Sequence, residues 1–367
     1  MRSSLPPMPA GRAGPPRSPG AAFWMTWSTR RLALAVGIAG TLAIVALDAL
    51  IRDEPTPRGD DLVYDRMAQH PLARHTVVFA YRIALPWLVH VLPLHRTLSF
   101  SLIAWITSGA SAGVLFVILE RFAVERRISI PLALALALSP PLLVTSLRQG
   151  RNPDPETVLI MTVGVLMIID RRPRALAATM LLGALVRESA LFLAPMAYAS
   201  WADRWWDRRL LLRVAAIAAP AAAAFVALRL TIPTVGAGYT GGAVSGRLHV
   251  LREGLGQPFV QGRRLFAVYG PLWLLAPAAL AWSSFARRNL VLVPLCIASM
   301  AFALDWGRVA LIAAPVVYAA GATTLERHPR WRLPSLVVGV VLIFGYAAYM
   351  QVSGVDHLTG HSPYPIR

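Results

Sequence analysis

The chain has 367 residues, of which 56% are apolar and 15% are charged, and its mean hydropathy is +0.55. Soluble domains carry about 25% charged residues, so the apolar excess predicts an integral membrane protein with many spans. The 36 basic residues are all arginine, which excludes lysine chemistry such as a Schiff base or a nucleotide-binding P-loop. No nucleic acid partner is predicted, because the arginines lie between apolar runs, where they set membrane orientation.

The predicted elements begin with a disordered cytoplasmic tail over residues 1–22, which is rich in Pro, Gly, Ser and Arg. The apolar run from Leu32 to Ile51 is long enough to be a retained first membrane helix. Further apolar runs lie near residues 98–119, 128–147, 157–169, 175–200, 210–232, 265–283, 290–304, 309–323 and 333–350. Together they predict an all-α protein with a single transmembrane domain over residues 23–351 and an outer tail over residues 352–367.

Arginine clusters flank these runs and predict the orientation, because arginine concentrates on the cytoplasmic side of membrane proteins. All the clusters share that side only if the run 175–200 crosses twice, with a break near Arg187-Glu188-Ser189. This predicts about eleven crossings, within a range of roughly nine to twelve, with the amino terminus in the cytoplasm and the carboxyl terminus outside. The clusters are Arg30-Arg31, Arg121 with Arg126-Arg127, Arg171-Arg172 with Arg174, Arg204 with Arg208-Arg209, Arg287-Arg288, and Arg327 with Arg330 and Arg332.

Two long loops are predicted on the outer side. The first, residues 52–97, contains an apolar stretch from Val77 to Leu94 that is interrupted by charge and proline, which predicts an interfacial helix and not a span. The second, residues 233–264, is rich in glycine and arginine and is typical of a mobile loop over a site. The histidine spacing predicts no zinc site, and the lack of an internal repeat weakens the case for a transporter.

The strongest candidate segment is Gly59–Ala68, just beyond the first membrane helix. If this segment is helical, Asp60, Tyr64 and Ala68 lie on one face. The carboxylate of Asp60 or Asp61 would then be held at the membrane surface, where it could act as a general base on a hydroxyl group. The alternative is that these acids are simply solvated.

Charged residues also interrupt or adjoin later apolar runs. Arg82, next to Tyr81, could reach lipid headgroups or bind the phosphate of a lipid-linked ligand. Arg187 and Glu188 interrupt an apolar run, and ionisable residues in such positions usually face a polar cavity and serve a function. The alternative is that these two residues pair with each other and cap two short helices.

Two polar turns complete the candidate set. The first contains Arg148, Arg151 and Asp154 among two prolines and a glycine, and its two arginines lie on the side where arginine is disfavoured. The second contains Asp305 and Arg308, which could pair with each other because they are three residues apart. Under the predicted topology, they would instead help to line one outward pocket with Arg187 and Glu188.

These motifs, in this order and on this side of the membrane, resemble the integral-membrane glycosyltransferases of the GT-C fold. The resemblance is to compact members related to the dolichyl- or polyprenyl-phosphate sugar transferases, and it covers residues 30–330. The motifs that carry it are Asp60 or Asp61 with Tyr64, the element Tyr81-Arg82-x-x-x-Pro86, the pair Arg187-Glu188, and Asp305 to Arg308.

The resemblance implies an inverting transfer of a sugar from a polyprenyl-phosphate donor to a hydroxyl of a glycan, lipid or protein acceptor, at the outer face of the cytoplasmic membrane. It implies that Asp60 or Asp61 is the general base and that Arg82, Arg187 and Arg308 bind the lipid phosphate. Seven residues are expected to support the site: Tyr64, Tyr81, Arg148, Arg151, Asp154, Glu188 and Asp305.

No cofactor is firmly implied, and a divalent cation remains an option although the chain shows no second acidic pair to bind a metal. Membrane lipids are expected as further partners. Two other functions stay open from the sequence. One is a transporter or flippase of a lipid-linked sugar, and the other is an outer-face polysaccharide polymerase or ligase that uses the arginines of residues 247–264.

Overall fold

The computed structural model describes residues 27–50, 60–71, 73–76, 79–147, 150–235, 252, 255–300 and 306–353. Within these ranges the predicted all-α class is confirmed, and the only β pairing is a parallel contact of two residues each between β1 (His75–Thr76) and β2 (Thr234–Val235). The predicted tails, residues 1–22 and almost all of 352–367, lie outside the described residues.

Seventeen α-helices are described, and short 3₁₀ turns connect some of them. The helices are α1 (Trp27–Leu50), α2 (Asp60–Gln69), α3 (Ala84–Val91), α4 (Arg96–Arg121), α5 (Arg126–Ala137), α6 (Pro140–Leu147), α7 (Asp154–Ile169), α8 (Pro173–Val186), α9 (Leu193–Trp201), α10 (Arg208–Thr231), α11 (Pro258–Tyr269), α12 (Leu272–Ala278), α13 (Ser284–Asn289), α14 (Leu292–Met300), α15 (Trp306–Ala310), α16 (Ala314–Arg327) and α17 (Arg332–Ser353).

Four helical stretches among the described residues are long and apolar enough to cross a membrane: α1, α4, α10 and the stretch Trp306–Arg327. Two bent pairs, α5 with α6 and α11 with α12, raise the number to six if each pair is one span. This criterion yields fewer spans than the eleven predicted, because helices such as α8 (14 residues) and α9 (9 residues) are shorter than the roughly 20 residues that span hydrocarbon.

The apolar run 175–200 is broken where the sequence predicted. Helix α8 ends at Val186, Arg187 is extended (φ −161°, ψ 141°), and a 3₁₀ turn begins at Glu188. The two helices run in opposite directions, because Arg187 reaches the first residue of α7 while Trp201, at the end of α9, donates to the carbonyl of Ile168 at the end of α7. The run therefore forms a helical hairpin, whereas its two crossings of a membrane stay a prediction.

The arginine clusters lie at one end of the helical assembly, which we call the arginine-rich end. Arg121 pairs with Asp170 at 3.1 Å and joins the last turns of α4 and α7. Arg332 pairs with Glu125 at 3.3 Å and joins the start of α17 to the turn before α5. Arg288 donates to the carbonyl of Ser200, which brings α13 to the end of α9. The common location of the clusters agrees with the predicted topology, whereas their cytoplasmic location stays a prediction.

Helices α1 and α4 pack antiparallel through small residues. The backbone oxygen of Gly37 would lie 2.5 Å from a Cβ added at Gly109, and the oxygen of Ala33 would lie 2.8 Å from one added at Gly113. Close backbone approach at small residues is the usual basis of helix association in membranes. This contact brings the start of α1, with its arginine pair, to the arginine-rich end of α4.

The two predicted outer loops are also joined to each other, because β1 belongs to the first and β2 to the second. The apolar stretch of the first loop forms the short helix α3, which exposes Trp87 and Val91 and buries Leu85 and Val89. Its eight residues cannot span a membrane, in agreement with the predicted interfacial element. Helix α11 begins at Pro258, so the irregular part of the second predicted loop ends before residue 264.

Candidate functional site

A cluster of ion pairs lies at the end of the assembly opposite the arginine-rich end, and Arg82 is its first member. The Nη2 of Arg82 lies 2.8 Å from the Oε1 of Glu188, and its Nη1 donates to the hydroxyl of Tyr64 at 3.3 Å. Tyr64 is fully buried on α2 and meets the ring of Phe79 edge-on at 5.5 Å. These contacts connect α2, the turn before α3 and the break between α8 and α9.

Asp154, the first residue of α7, is the second acid of the cluster, and its exposure is only 1%. The Nη1 of Arg187 lies 2.5 Å from its Oδ1, and the Nε of Arg308 contacts its Oδ2. The amino-terminal position on α7 also favours a carboxylate through the helix dipole. Asp154 thus holds arginines from the end of α8 and from α15 at one point.

A neighbouring group is built around Asp65 of α2. Its Oδ1 lies 3.4 Å from the Nε of Arg151 and 3.6 Å from the Nε of Arg96. Arg151 is only 4% exposed and also donates to Thr97 at 3.1 Å. The preceding Gly150 has φ +60°, a conformation that favours glycine, so the turn before α7 directs Arg151 towards α2 and α4.

Helix α2 brings the aspartate candidates to this cluster. Residues 60–69 are helical, which is the condition stated above for the segment Gly59–Ala68. Asp61, Tyr64 and Ala68 are buried on one side of this helix. Asp61 therefore shares a face with Tyr64, and Arg151 also attracts it electrostatically. The idea that this acid is simply solvated is wrong for Asp61. Asp60 is the first residue of the helix, and its side chain lies outside the described part of the chain.

The structure thus brings together Tyr64, Arg82, Asp154, Arg187, Glu188 and Arg308, and it places Asp61 and Arg151 beside them. The alternative in which Arg187 and Glu188 pair with each other is wrong, because each forms its ion pair with a different residue. Tyr81 faces Arg229 of α10, whose guanidinium carbon lies 4.6 Å from the ring centre. Arg148 and Asp305 lie outside the described residues.

Three residues near the cluster were not among the sequence candidates: Asp65, Arg96 and Glu156. Asp65 could have been found, because it lies one helical turn after Asp61. Glu156 is buried one half-turn beyond Asp154 and accepts a hydrogen bond from Thr107 at 3.4 Å. Arg264 of α11 is buried against Gly307, the neighbour of Arg308. The sequence carried no signal for this last contact, since it depends on how α11 meets α15.

No metal site is apparent among the residues that the structure describes, because no three His, Cys, Asp or Glu side chains converge. Asp154 is the most buried acid of the cluster, and arginines contact both of its oxygens. Asp154 and Glu188 therefore act as partners of guanidinium groups, and no ligand set for a divalent cation can be assigned from the described carboxylates.

The cluster carries more positive than negative charge, since three arginines meet two acids: Arg82, Arg187 and Arg308 against Asp154 and Glu188. It is also reachable, because the side chains of Glu188 and Arg308 are 41% and 23% exposed. Guanidinium groups match the geometry of phosphate oxygens, so the arrangement is suited to an anionic group such as a phosphate.

No protein-family model matches this sequence. A comparison with curated proteins gives no match either. Function is therefore inferred from the chemistry of the site.

Proposed function

We propose that this chain is a GT-C-type membrane glycosyltransferase that transfers a sugar from a polyprenyl-phosphate donor to a hydroxyl acceptor at the outer face of the cytoplasmic membrane. The observation that carries the proposal is the convergence of Arg82, Arg187 and Arg308 on two carboxylates, beside the buried Asp61. A lipid phosphate is the ligand class that best fits a surplus of guanidinium charge at one end of an apolar helical assembly.

The position of Asp61 supports its assignment as the general base. Asp61 and Tyr64 are three residues apart on α2, a spacing that places side chains about 5–6 Å apart at Cβ. Tyr64 in turn accepts a hydrogen bond from Arg82. The proposed base and the proposed phosphate-binding group are thus linked through one tyrosine.

The proposed reaction is a single displacement. The carboxylate of Asp61 accepts the proton of the acceptor hydroxyl while the hydroxyl oxygen attacks the anomeric carbon of the donor sugar. The bond from that carbon to the phosphate oxygen breaks, and its electron pair leaves with the polyprenyl phosphate. Arg82, Arg187 and Arg308 stabilise the additional negative charge on this leaving group. One displacement inverts the anomeric configuration.

The test measures donor turnover by the full chain in proteoliposomes, with a panel of radiolabelled polyprenyl-phosphate hexoses and pentoses and a membrane extract as the source of acceptor. Release of polyprenyl phosphate is the readout. We expect Asp61→Asn to reduce the turnover rate by about 10²- to 10⁴-fold, the usual contribution of a general base. Asp60→Asn, one position earlier on the same helix, is the matched control and should retain most of the activity.

Full activity of the Asp61→Asn variant would refute the base assignment, and absence of turnover with every donor would refute the transferase. Movement of intact donor between leaflets, without a new glycosidic bond, would assign the flippase alternative instead. The polymerase or ligase alternative uses the arginines of residues 247–264, of which Arg247 lies outside the described residues, while Arg252 and Arg263 are exposed. Arg264 is buried in α11 at 2% exposure, so it is not a loop residue that could meet a polysaccharide.

A further inference from the structure

A second cavity lies away from the ion-pair cluster, between α5, the junction of α11 and α12, and α17. Its volume is about 490 Å³, and we call it the α5–α17 groove. Its walls are apolar and include Leu132, Leu138, Leu272, Leu336, Val340 and Ile343. The volume lies in the range of small-molecule sites, but the walls suit a hydrocarbon chain.

The tyrosines of the groove present their rings to it, because their hydroxyl groups have partners elsewhere. Tyr318 donates to the carbonyl of Ala135 at 3.3 Å, and Tyr269 donates to the carbonyl of Ala310. A ligand inside the groove would therefore meet mainly aromatic and aliphatic surface, and the hydroxyl group of Ser139 is a lining group that still needs a hydrogen-bond partner.

The groove exists because α17 packs only lightly on the rest of the protein. Leu333, Val341 and Phe344 are each at least 60% exposed. Gly339 lines the groove, and a Cβ added there would meet no atom within 4 Å. Glycine usually serves close helix approach in membranes, but here it adds to an open space.

Positive charge marks the mouth of the groove at the arginine-rich end, where Arg127 and Arg332 belong to its lining. From Arg332 to Phe344 the groove follows α17 for about 18 Å, at a rise of 1.5 Å per residue. The pKa of the neighbouring Glu125 is lowered, first by its hydrogen bond from Arg127, so this acid stays ionised. Arg127 and Arg332 pair with Glu125, and Arg332 also lies 3.9 Å from Glu326, but the Arg127 side chain is still 70% exposed.

We propose that the α5–α17 groove binds an acyl chain of an anionic phospholipid, whose phosphate lies at Arg127 and Arg332. The apolar walls match the chain, and the guanidinium groups of Arg127 and Arg332 at the mouth match the headgroup phosphate. This lipid is distinct from the proposed sugar donor, because the donor phosphate is assigned to the opposite end of the helical assembly. The groove proposal therefore does not depend on the proposed transferase activity.

The glycines of α17 allow a matched test. Gly339→Phe places a side chain in the groove without a clash at its Cβ, whereas Gly345→Phe adds the same side chain to an open position on the same helix outside the groove lining. Each full-length protein is purified in mild detergent, and its bound lipids are identified by native mass spectrometry. We expect phospholipid on the wild type and on Gly345→Phe, and an occupancy at least about tenfold lower on Gly339→Phe.

A titration of the wild-type protein with phospholipid, followed by its Tm, tests the proposal even if Gly339→Phe does not fold. Micelles of phosphatidylglycerol should raise the Tm more than micelles of phosphatidylcholine with the same acyl chains. Arg127→Gln should remove this preference, while Arg332 still pairs with Glu125. Equal shifts with both lipids, unchanged occupancy in Gly339→Phe, or polyprenyl phosphate as the bound lipid would each overturn the proposal.

Discussion

Two acids of the candidate site, Asp154 and Glu188, bind guanidinium groups from distant parts of the chain. Arg82 and Glu188 are 106 residues apart, and Asp154 and Arg308 are 154 residues apart. Buried charges are costly unless they are paired, so each ion pair holds its two segments in one relative position. Removal of one partner leaves the other charge uncompensated. The free energy of unfolding should therefore fall by more than the net contribution of the ion pair.

This reasoning gives a prediction for Arg82 and Glu188. Arg82→Gln and Glu188→Gln should each destabilise the protein, with a coupling energy of about 0.5–2 kcal/mol in the double variant, because each single change leaves a partly buried charge without its partner. The coupling energy should be small because the Glu188 side chain is 41% exposed, so solvent screens the pair. The free energy of unfolding, measured in mixed detergent and SDS micelles, checks it. Strictly additive effects would show that the pair contributes nothing.

The sequence was a better guide to which residues belong to the site than to which of them form ion pairs with each other. A charge inside an apolar run is unusual enough to identify Arg187 and Glu188 from residue type alone. Their partners could not be identified, because neighbours in sequence such as these two can point to different helices. The packing of α7 against the α8–α9 break decides that Arg187 meets Asp154, and the position of the turn before α3 decides that Glu188 meets Arg82.

At the scale of helices, the arrangement depends on how closely α1 and α4 approach. Gly109 and Gly113 are four residues apart on α4 and form a small-xxx-small pattern that faces Gly37 and Ala33. This pattern was readable in the sequence and would have predicted the contact. Helix lengths were less predictable, because a continuous apolar run does not show where a helix bends, as at the junction of α11 and α12 with its 64° angle.

Gly109→Ala should separate α1 from α4 and destabilise the protein by about 1–3 kcal/mol, the usual cost of an overpacked contact. The added Cβ would lie 2.5 Å from the backbone oxygen of Gly37, which cannot move away as a flexible side chain could. Gly345→Ala is the control, since its Cβ would meet nothing within 4 Å and alanine favours a helix by up to about 1 kcal/mol. Unfolding in SDS compares the two variants, and equal stability would contradict the close α1–α4 contact.

At the scale of the whole molecule, the two ends differ in chemistry. One end collects the arginine clusters with a few acids, while the other holds a mixed group of carboxylates and guanidiniums around α2, α7, α8 and α15. The large positive charge of the sequence, +18, is thus divided between an orientation signal and a candidate site. The proposed reaction requires that the end with the ion-pair cluster, which we call the site end, faces outward. On that side of the membrane, lipid-linked donors can react without nucleotides.

This orientation can be measured by thiol labelling of intact cells. The native Cys296 is buried at 1% exposure and is replaced by serine to give a cysteine-free background. Val91→Cys on α3 and Trp205→Cys before α10 introduce thiols at positions that are 67% and 94% exposed, near the site end and the arginine-rich end. A membrane-impermeant maleimide should label Val91→Cys from outside, and it should label Trp205→Cys only after permeabilisation, because arginine-rich segments stay in the cytoplasm. The reverse pattern would place the ion-pair cluster in the cytoplasm and would remove the basis for an outer-face transferase.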